Sequence, residues 1–126
     1  MRVVDTSAWL EWIADTDVGR KIGAELPDLD NWIVPTIVQY ELTRHLARAV
    51  SNEAAEQAVG FSMRCAMTPL DTRTAVRAAE YARAHSLAMA DAIIYATAVE
   101  AGADLLTCDA HFAKLPGVVY FAKTAS

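Results

Sequence analysis

Short aliphatic runs alternate with longer amphipathic segments along the whole chain. The short runs are typical of strands buried on both faces, and the longer segments carry apolar residues at helical spacing. The strand candidates are residues 2–7, 32–34, 67–71, 103–109 and 118–121. The helix candidates are residues 8–14, 18–26, 37–50, 52–66, 72–85 and 87–99. Because parallel strands need crossover connections, this alternation predicts an α/β fold with a central parallel β-sheet flanked by α-helices.

Capping and turn residues mark the expected ends of these elements. Thr36 is placed to cap the helix that follows the second strand, and Asp71 or Thr72 is placed to cap a later one. Gly102 ends the apolar helix near the C-terminus. Pro69 lies in the third strand candidate and suggests that this strand is at an edge of the sheet.

Composition restricts the class of protein. With 126 residues and 54% hydrophobic residues, the chain suits one domain spanning residues 1–126. No apolar run approaches the roughly 20 residues of a membrane span, and Asp5 interrupts the N-terminus too early for a signal peptide, so we expect a soluble, cytoplasmic protein. Cys65 and Cys108 lie far apart with no CxxC pair, so a zinc site is not expected.

The net charge of −5 argues against a nucleic-acid partner, because phosphate binding usually leaves a basic footprint on a domain. That objection weakens if several acids converge on divalent metal ions, because bound ions are then the largest local charges. The positions of the acids therefore decide the matter.

Four acids lie at positions that neither helix capping nor exposure to solvent explains for all four together. Asp5 and Asp109 each follow a strand candidate, and the strands of a parallel sheet all end at the same edge. Glu41 and Asp91 lie early enough in their helices to lean over that edge. Asp91 also interrupts a mostly apolar helix with no Arg or Lys nearby in sequence. We expect the four carboxylates to converge.

Such crowding needs a counterion. Two unit charges about 4 Å apart repel by about 4 kcal/mol at an effective dielectric constant of about 20. Oxygen ligands without several Cys or His select Mg²⁺ or Mn²⁺. Two such ions can activate a water and stabilise both the attacking and the leaving oxygen of a phosphodiester, so the residues favour nucleic-acid hydrolysis.

The ordered set of these segments resembles the PIN-domain ribonucleases, and in length and order the small VapC-type toxins of toxin–antitoxin pairs. The resemblance covers essentially the whole chain and is carried by Val4-Asp5-Thr6-Ser7, by Glu41, by Asp91-Ala92-Ile93-Ile94 and by the stretch from Leu106 to Phe112. It implies a PIN-like domain and an Mg²⁺- or Mn²⁺-dependent endoribonuclease, usually homodimeric, that acts on tRNA or ribosomal RNA. It also implies a cognate VapB-type antitoxin protein that holds the enzyme inactive.

The resemblance also assigns roles. It places the metal-binding and catalytic carboxylates at Asp5, Glu41, Asp91 and Asp109. It places supporting hydroxyls at Thr6, Ser7 and Thr107.

Other residues have less specific interpretations. Arg44 and Arg48 share a helix face with Glu41, so they are either solvated or bind RNA phosphate. Trp9 or Trp12, if exposed on the early helices, would suit a dimer interface. His111 is a candidate substrate contact, although neither its spacing nor the family pattern makes it a metal ligand.

Two alternatives stay open at this point. A phosphoacceptor receiver domain is also a doubly wound sheet with strand-end acids, and it would use Asp71 as acceptor and Lys123 after the last strand. That reading leaves Glu41 and Asp91 unexplained. The second alternative keeps the PIN fold but makes it a noncatalytic RNA-binding scaffold.

Overall fold

Helices surround a five-stranded sheet in a computed structural model that describes residues 1–123. The strands are β1 (Arg2–Val4), β2 (Trp32–Pro35), β3 (Ala66–Thr68), β4 (Asp104–Thr107) and β5 (Val118–Tyr120). The helices are α1 (Thr6–Ile13), α2 (Asp17–Glu25), α3 (Thr36–Ala49), α4 (Asn52–Ser62), α5 (Thr72–His85) and α6 (Met89–Glu100). Short 3₁₀ turns cover Leu29–Asn31 and Ala110–Phe112.

The sheet is parallel throughout and has the strand order β3-β2-β1-β4-β5. The predicted α/β class with a central parallel sheet is therefore confirmed. β1 and β4 are neighbours, with Val3 opposite Leu105 and Val4 opposite Leu106, and these four aliphatic residues are fully buried. β3 lies at an edge, as Pro69 suggested.

The two central strands end earlier than the sequence pattern predicts. β1 stops at Val4 because the Asp5 carbonyl already accepts hydrogen bonds from the amides of Ala8 and Trp9, which begins α1. β4 stops at Thr107 because the next two amides donate to side-chain hydroxyls instead of to another strand. Both strands thus end immediately before a polar segment that carries one of the predicted site acids.

The other boundaries shift for local reasons. Thr36 is the first residue of α3 and not its cap, because Pro35 in extended conformation occupies the position before it. The third strand covers residues 66–68 because α4 has already ended at Ser62 and Asp71 is used as a cap. The Asp71 side chain accepts the Thr74 amide at 2.8 Å, which resolves the choice between the two capping candidates.

The proposal that Trp9 is exposed for dimerisation is wrong. Its side chain is 1% exposed, and its ring centroid lies 4.7 Å from that of Trp32 and 5.9 Å from that of Phe61. Trp12 is half-buried against the same rings. The face of α1 that carries the indoles packs into the core, so these rings stabilise the fold instead of offering a free surface.

α1 and α2 pack closely where Gly19 faces the end of α1. A Cβ atom on Gly19 would lie 1.9 Å from the carbonyl oxygen of Glu11, so this position requires glycine. No helix within residues 1–123 combines the length and apolar character of a membrane span.

Candidate active site

The four predicted acids line one cleft at the carboxyl edge of β1 and β4. Asp5 follows β1, and its amide donates to the Leu106 carbonyl at 2.8 Å, which locks the two strand ends side by side. Asp109 follows β4 by two residues. Glu41 from α3 and Asp91 from α6 line the same cleft, which has a volume of about 670 Å³.

Asp5 is the deepest of these acids, with 3% of its surface exposed. Its Oδ2 atom accepts a hydrogen bond from Ser7 Oγ at 2.6 Å and another from Thr107 Oγ1 at 2.8 Å. The Ser7 hydroxyl in turn accepts the Cys108 amide at 3.0 Å, and Thr107 Oγ1 accepts the Asp109 amide at 2.9 Å. The two hydroxyls therefore fix one oxygen of Asp5 and tie both strand ends together.

Glu41 is oriented by the third predicted hydroxyl. Thr6, in the first turn of α1, donates from Oγ1 to Glu41 Oε1 at 2.6 Å. A charge-assisted hydrogen bond of this length restricts the carboxylate to one position. The structure thus places Thr6, Ser7 and Thr107 directly against the predicted acids.

Asp91 lies in the first turn of α6 and is half-buried. Its carboxylate accepts no hydrogen bond from the described residues 1–123. Burial, together with the neighbouring charges of Asp5, Asp109 and Glu41, raises its pKa to about 6. The first turn of a helix favours an anion there, which offsets part of this cost.

Asp109 is held by the backbone and by a histidine. Its Oδ1 atom accepts the His111 amide at 2.9 Å, and the Nδ1 atom of the His111 ring lies 2.9 Å from the same oxygen. One potential ligand atom from each of Asp91, Asp109 and His111 lies within 4.8 Å of the other two. This placement of His111 beside two site acids was missed from the sequence. The local signal was its position two residues after a strand-end aspartate, a spacing that lets its amide return to the carboxylate.

The electrostatics of the cleft call for a cation. Burial raises the pKa of the Asp5 carboxyl, the Ser7 and Thr107 hydroxyls lower it, and the charges of Glu41 and Asp109 raise it. Within the described part of the chain, no Arg or Lys forms an ion pair with any of the four carboxylates. Their oxygen atoms are the hard donors that Mg²⁺ and Mn²⁺ prefer, and one imidazole beside them is compatible with Mn²⁺. The donor set therefore fits a divalent metal ion.

The rim of the cleft is basic and partly aromatic. Arg44 and Arg48 from α3 line it together with His45 and Lys123, and all four are exposed. Neither arginine forms an ion pair or hydrogen bond with residues 1–123. Tyr40, one residue before Glu41, also lines the cleft. The site thus combines an acidic floor with unpaired cations at its edge.

Comparison with known families identifies the domain. The family model of the PIN domain matches residues 2–118, nearly the whole chain. The chain belongs to the PIN domain family. A search of curated protein sequences finds no match to this PIN domain.

Solved structures share the fold of this PIN domain. A toxin–antitoxin complex from Klebsiella pneumoniae gives a TM-score of 0.79 at 20% identity, covering 94% of this chain and 96% of the other. Mycobacterium tuberculosis VapC20, described as a toxin that cleaves the sarcin–ricin loop, gives the same score and identity over 94% and 97%. FitAcB from Neisseria gonorrhoeae gives a TM-score of 0.69 at 22% identity over 96% of both chains.

The receiver-domain alternative does not fit this PIN domain. Asp71, its proposed phosphoacceptor, is an exposed helix cap and does not line the acidic cleft. The Thr74 amide lowers the pKa of the Asp71 carboxyl, as expected for a capping residue. Lys123 lines the cleft and Asp71 does not, so the two residues that a receiver domain would use do not share this site.

Proposed function

We propose that this PIN domain is an Mg²⁺- or Mn²⁺-dependent endoribonuclease that hydrolyses phosphodiester bonds in RNA. The observation that carries the proposal is the convergence of Asp5, Glu41, Asp91 and Asp109 in one cleft without an ion pair to Arg or Lys in residues 1–123. Carboxylates that are buried or half-buried without an Arg or Lys partner are costly, and they are kept where they bind metal or perform chemistry.

The four acids would hold the metal, with Asp5 as the most rigid ligand. Two hydroxyls occupy its Oδ2 atom, so its other oxygen is available to the cleft. Thr6 fixes Glu41 in the same way. A divalent ion bound here would supply a nucleophilic water at neutral pH and neutralise charge on the phosphate. The task of the protein is to keep these ligands in position, which the Thr and Ser hydroxyls do through hydrogen bonds to the carboxylates.

Arg44 and Arg48 would bind the RNA backbone. Both lie along α3 on the edge of the cleft that contains Glu41, and both lack a protein partner in the described part of the chain. Guanidinium groups bind phosphate oxygens in a bidentate manner, and such contacts position the substrate without reading its sequence. Lys123, which also lines the cleft, would add a third cation. This local basic rim answers the objection from the net charge of −5.

The biological role that we propose is that of a toxin in a toxin–antitoxin pair. Three similar folds come from VapBC complexes of Rickettsia felis, Salmonella typhimurium and nontypeable Haemophilus influenzae, which supports a VapB-type antitoxin as partner. A toxin that cleaves the sarcin–ricin loop has the same fold, which supports structured RNA such as tRNA or ribosomal RNA as substrate. We also propose a cytoplasmic homodimer, as is usual for the family it resembles.

The test is cleavage of total cellular RNA by purified, antitoxin-free protein with Mg²⁺, with Mn²⁺ and with EDTA. Wild type should give discrete fragments with either metal and none with EDTA, and Asp5→Asn should give none under any condition. Glu56→Gln, which removes an exposed acid of α4 outside the cleft, is the matched control and should cleave like wild type. If folded wild-type protein binds RNA but cleaves none of it, the domain is a noncatalytic RNA-binding scaffold and this proposal is wrong.

A further inference from the structure

Tyr40 is a solvent-exposed aromatic residue at the edge of the acidic cleft. It is 61% exposed, although tyrosines are usually more buried than this. Its ring makes no ring–ring or cation–π contact and its hydroxyl no hydrogen bond within residues 1–123. Nothing in the described chain therefore explains its position by packing or by pairing.

The position of Tyr40 on α3 links it to the proposed chemistry. It directly precedes Glu41, a proposed metal ligand, and Arg44 follows one helical turn later on the same side. All three side chains line the same cleft. A phosphate bound by the arginine and a scissile bond at the acids would therefore place a neighbouring nucleobase next to the Tyr40 ring.

We propose that Tyr40 stacks on an unpaired nucleobase beside the scissile phosphate and thereby selects looped or single-stranded RNA. The inference rests on the proposed ribonuclease function. A free aromatic face stacks on any base, but a base held within a duplex already has both faces covered. Tyr40 is thus a specificity-determining residue, distinct from the acids that carry the reaction.

An RNA base suits this position better than a protein partner does. The cleft that Tyr40 lines is also lined by Arg44, Arg48 and Lys123, which are cations without ion pairs inside residues 1–123. A groove that combines unpaired cations with an exposed aromatic ring is the arrangement by which proteins follow single-stranded nucleic acid. Lysine, by contrast, is depleted at protein–protein interfaces.

The experiment uses an RNA hairpin containing a cleavage site mapped with the wild-type protein. A second hairpin is identical except for an abasic nucleotide next to the scissile bond, on the 5′ side in one version and on the 3′ side in another. Initial rates of cleavage over a range of RNA concentrations are measured for wild type, Tyr40→Phe and Tyr40→Ala, each with Mn²⁺. Met63→Ala, which truncates a 68%-exposed side chain outside the cleft, is the control.

Loss of one stacking contact corresponds to a decrease of about 5- to 150-fold in kcat/KM. Tyr40→Ala should show this decrease on the parent hairpin, mainly through a higher KM. Tyr40→Phe keeps the aromatic ring and should retain most of the wild-type kcat/KM. On the one of the two abasic hairpins that lacks the stacked base, wild type and Tyr40→Ala should be alike, because the stacking partner is gone. Met63→Ala should match wild type on all three hairpins.

Three outcomes would overturn the inference. The first is equal cleavage of the parent hairpin by wild type and Tyr40→Ala. The second is an equal decrease for Tyr40→Ala on the parent and on both abasic hairpins, which would indicate a structural effect. The third is a change from dimer to monomer in Tyr40→Ala by light scattering with no change in the preference between hairpins, which would assign Tyr40 to a protein contact. Failure of the ribonuclease proposal itself would be distinct, because wild type would then cleave no RNA.

Discussion

Replacing Asp91 with asparagine is expected to stabilise the metal-free protein at neutral pH. The carboxyl has a pKa of about 6 in the folded protein against an ordinary value of 3.8, because it is partly buried beside three other acids. At about 1.4 kcal/mol per pH unit, that difference corresponds to at most about 3 kcal/mol. Solvent screens the half-buried group, so we expect about 1 kcal/mol, or about 4 °C in the midpoint of thermal unfolding.

The sign follows from proton linkage. Because the pKa of Asp91 is higher in the folded state than in the unfolded state, its contribution to stability is fully present below about pH 4. That contribution is lost as the pH rises through about 6. Asparagine has the same shape and no charge, so Asp91→Asn should be more stable than wild type at pH 7.5 in EDTA, and the difference should shrink toward pH 4.

The assay is thermal unfolding in EDTA and in excess Mn²⁺ at both pH values. Mn²⁺ should raise the unfolding midpoint of wild type at pH 7.5 and raise that of Asp91→Asn much less, since binding to the folded state adds to its stability. Glu56→Gln removes an exposed acid of α4 and should leave both midpoints near wild type. A metal-free Asp91→Asn protein that is less stable than wild type at pH 7.5 would refute the idea that the site acids repel one another.

Three further predictions concern the rim, the metal site and the fold. The affinity for RNA, measured by fluorescence anisotropy, should fall less steeply with salt in Arg48→Ala, with the slope of log affinity against log salt smaller in magnitude by about 0.7 to 0.9. Arg83→Ala on α5 should leave this slope unchanged. His111→Gln should weaken Mn²⁺ binding about tenfold or more by electron paramagnetic resonance titration, because the His111 ring lies 2.9 Å from Asp109 Oδ1; an unchanged affinity would make it a surface ion pair. Gly19→Ala should lower the free energy of unfolding in urea by about 2 kcal/mol because its Cβ would overlap the Glu11 carbonyl, and Gly60→Ala, with open space around it, should not.

The sheet and its acidic edge were predictable because they depend on local pattern plus one topological rule. Short aliphatic runs separated by helices require parallel pairing, and parallel strands end at one edge. That rule brings Asp5 and Asp109 to the same edge, and they meet there because β1 and β4 are neighbours in the sheet. The order of the strands and the exact end of β4 were not predictable, because both depend on contacts between residues about 100 positions apart, such as the hydrogen bond from the Cys108 amide to Ser7 Oγ.

The errors and omissions concern side-chain direction. Trp9 was expected to be exposed, but a short helix against the sheet buries it, and the helical pattern cannot tell which neighbouring element covers which face. For Tyr40 the difference is the opposite one. The helical pattern favours a core position for an aromatic residue beside an apolar stripe, but the packing of the helix against its neighbours leaves Tyr40 61% exposed.

The central claim is that the carboxylates of one cleft bind the divalent ion that acts on RNA. The most direct measurement is an anomalous difference map from crystals of the protein soaked in Mn²⁺. We predict a peak within coordination distance, about 2.0 to 2.6 Å, of carboxylate oxygens that include Asp5 and Asp91, and no peak in crystals of Asp5→Asn. A cleft without Mn²⁺ in wild-type crystals at saturating concentration, or a peak elsewhere on the surface, would contradict the account.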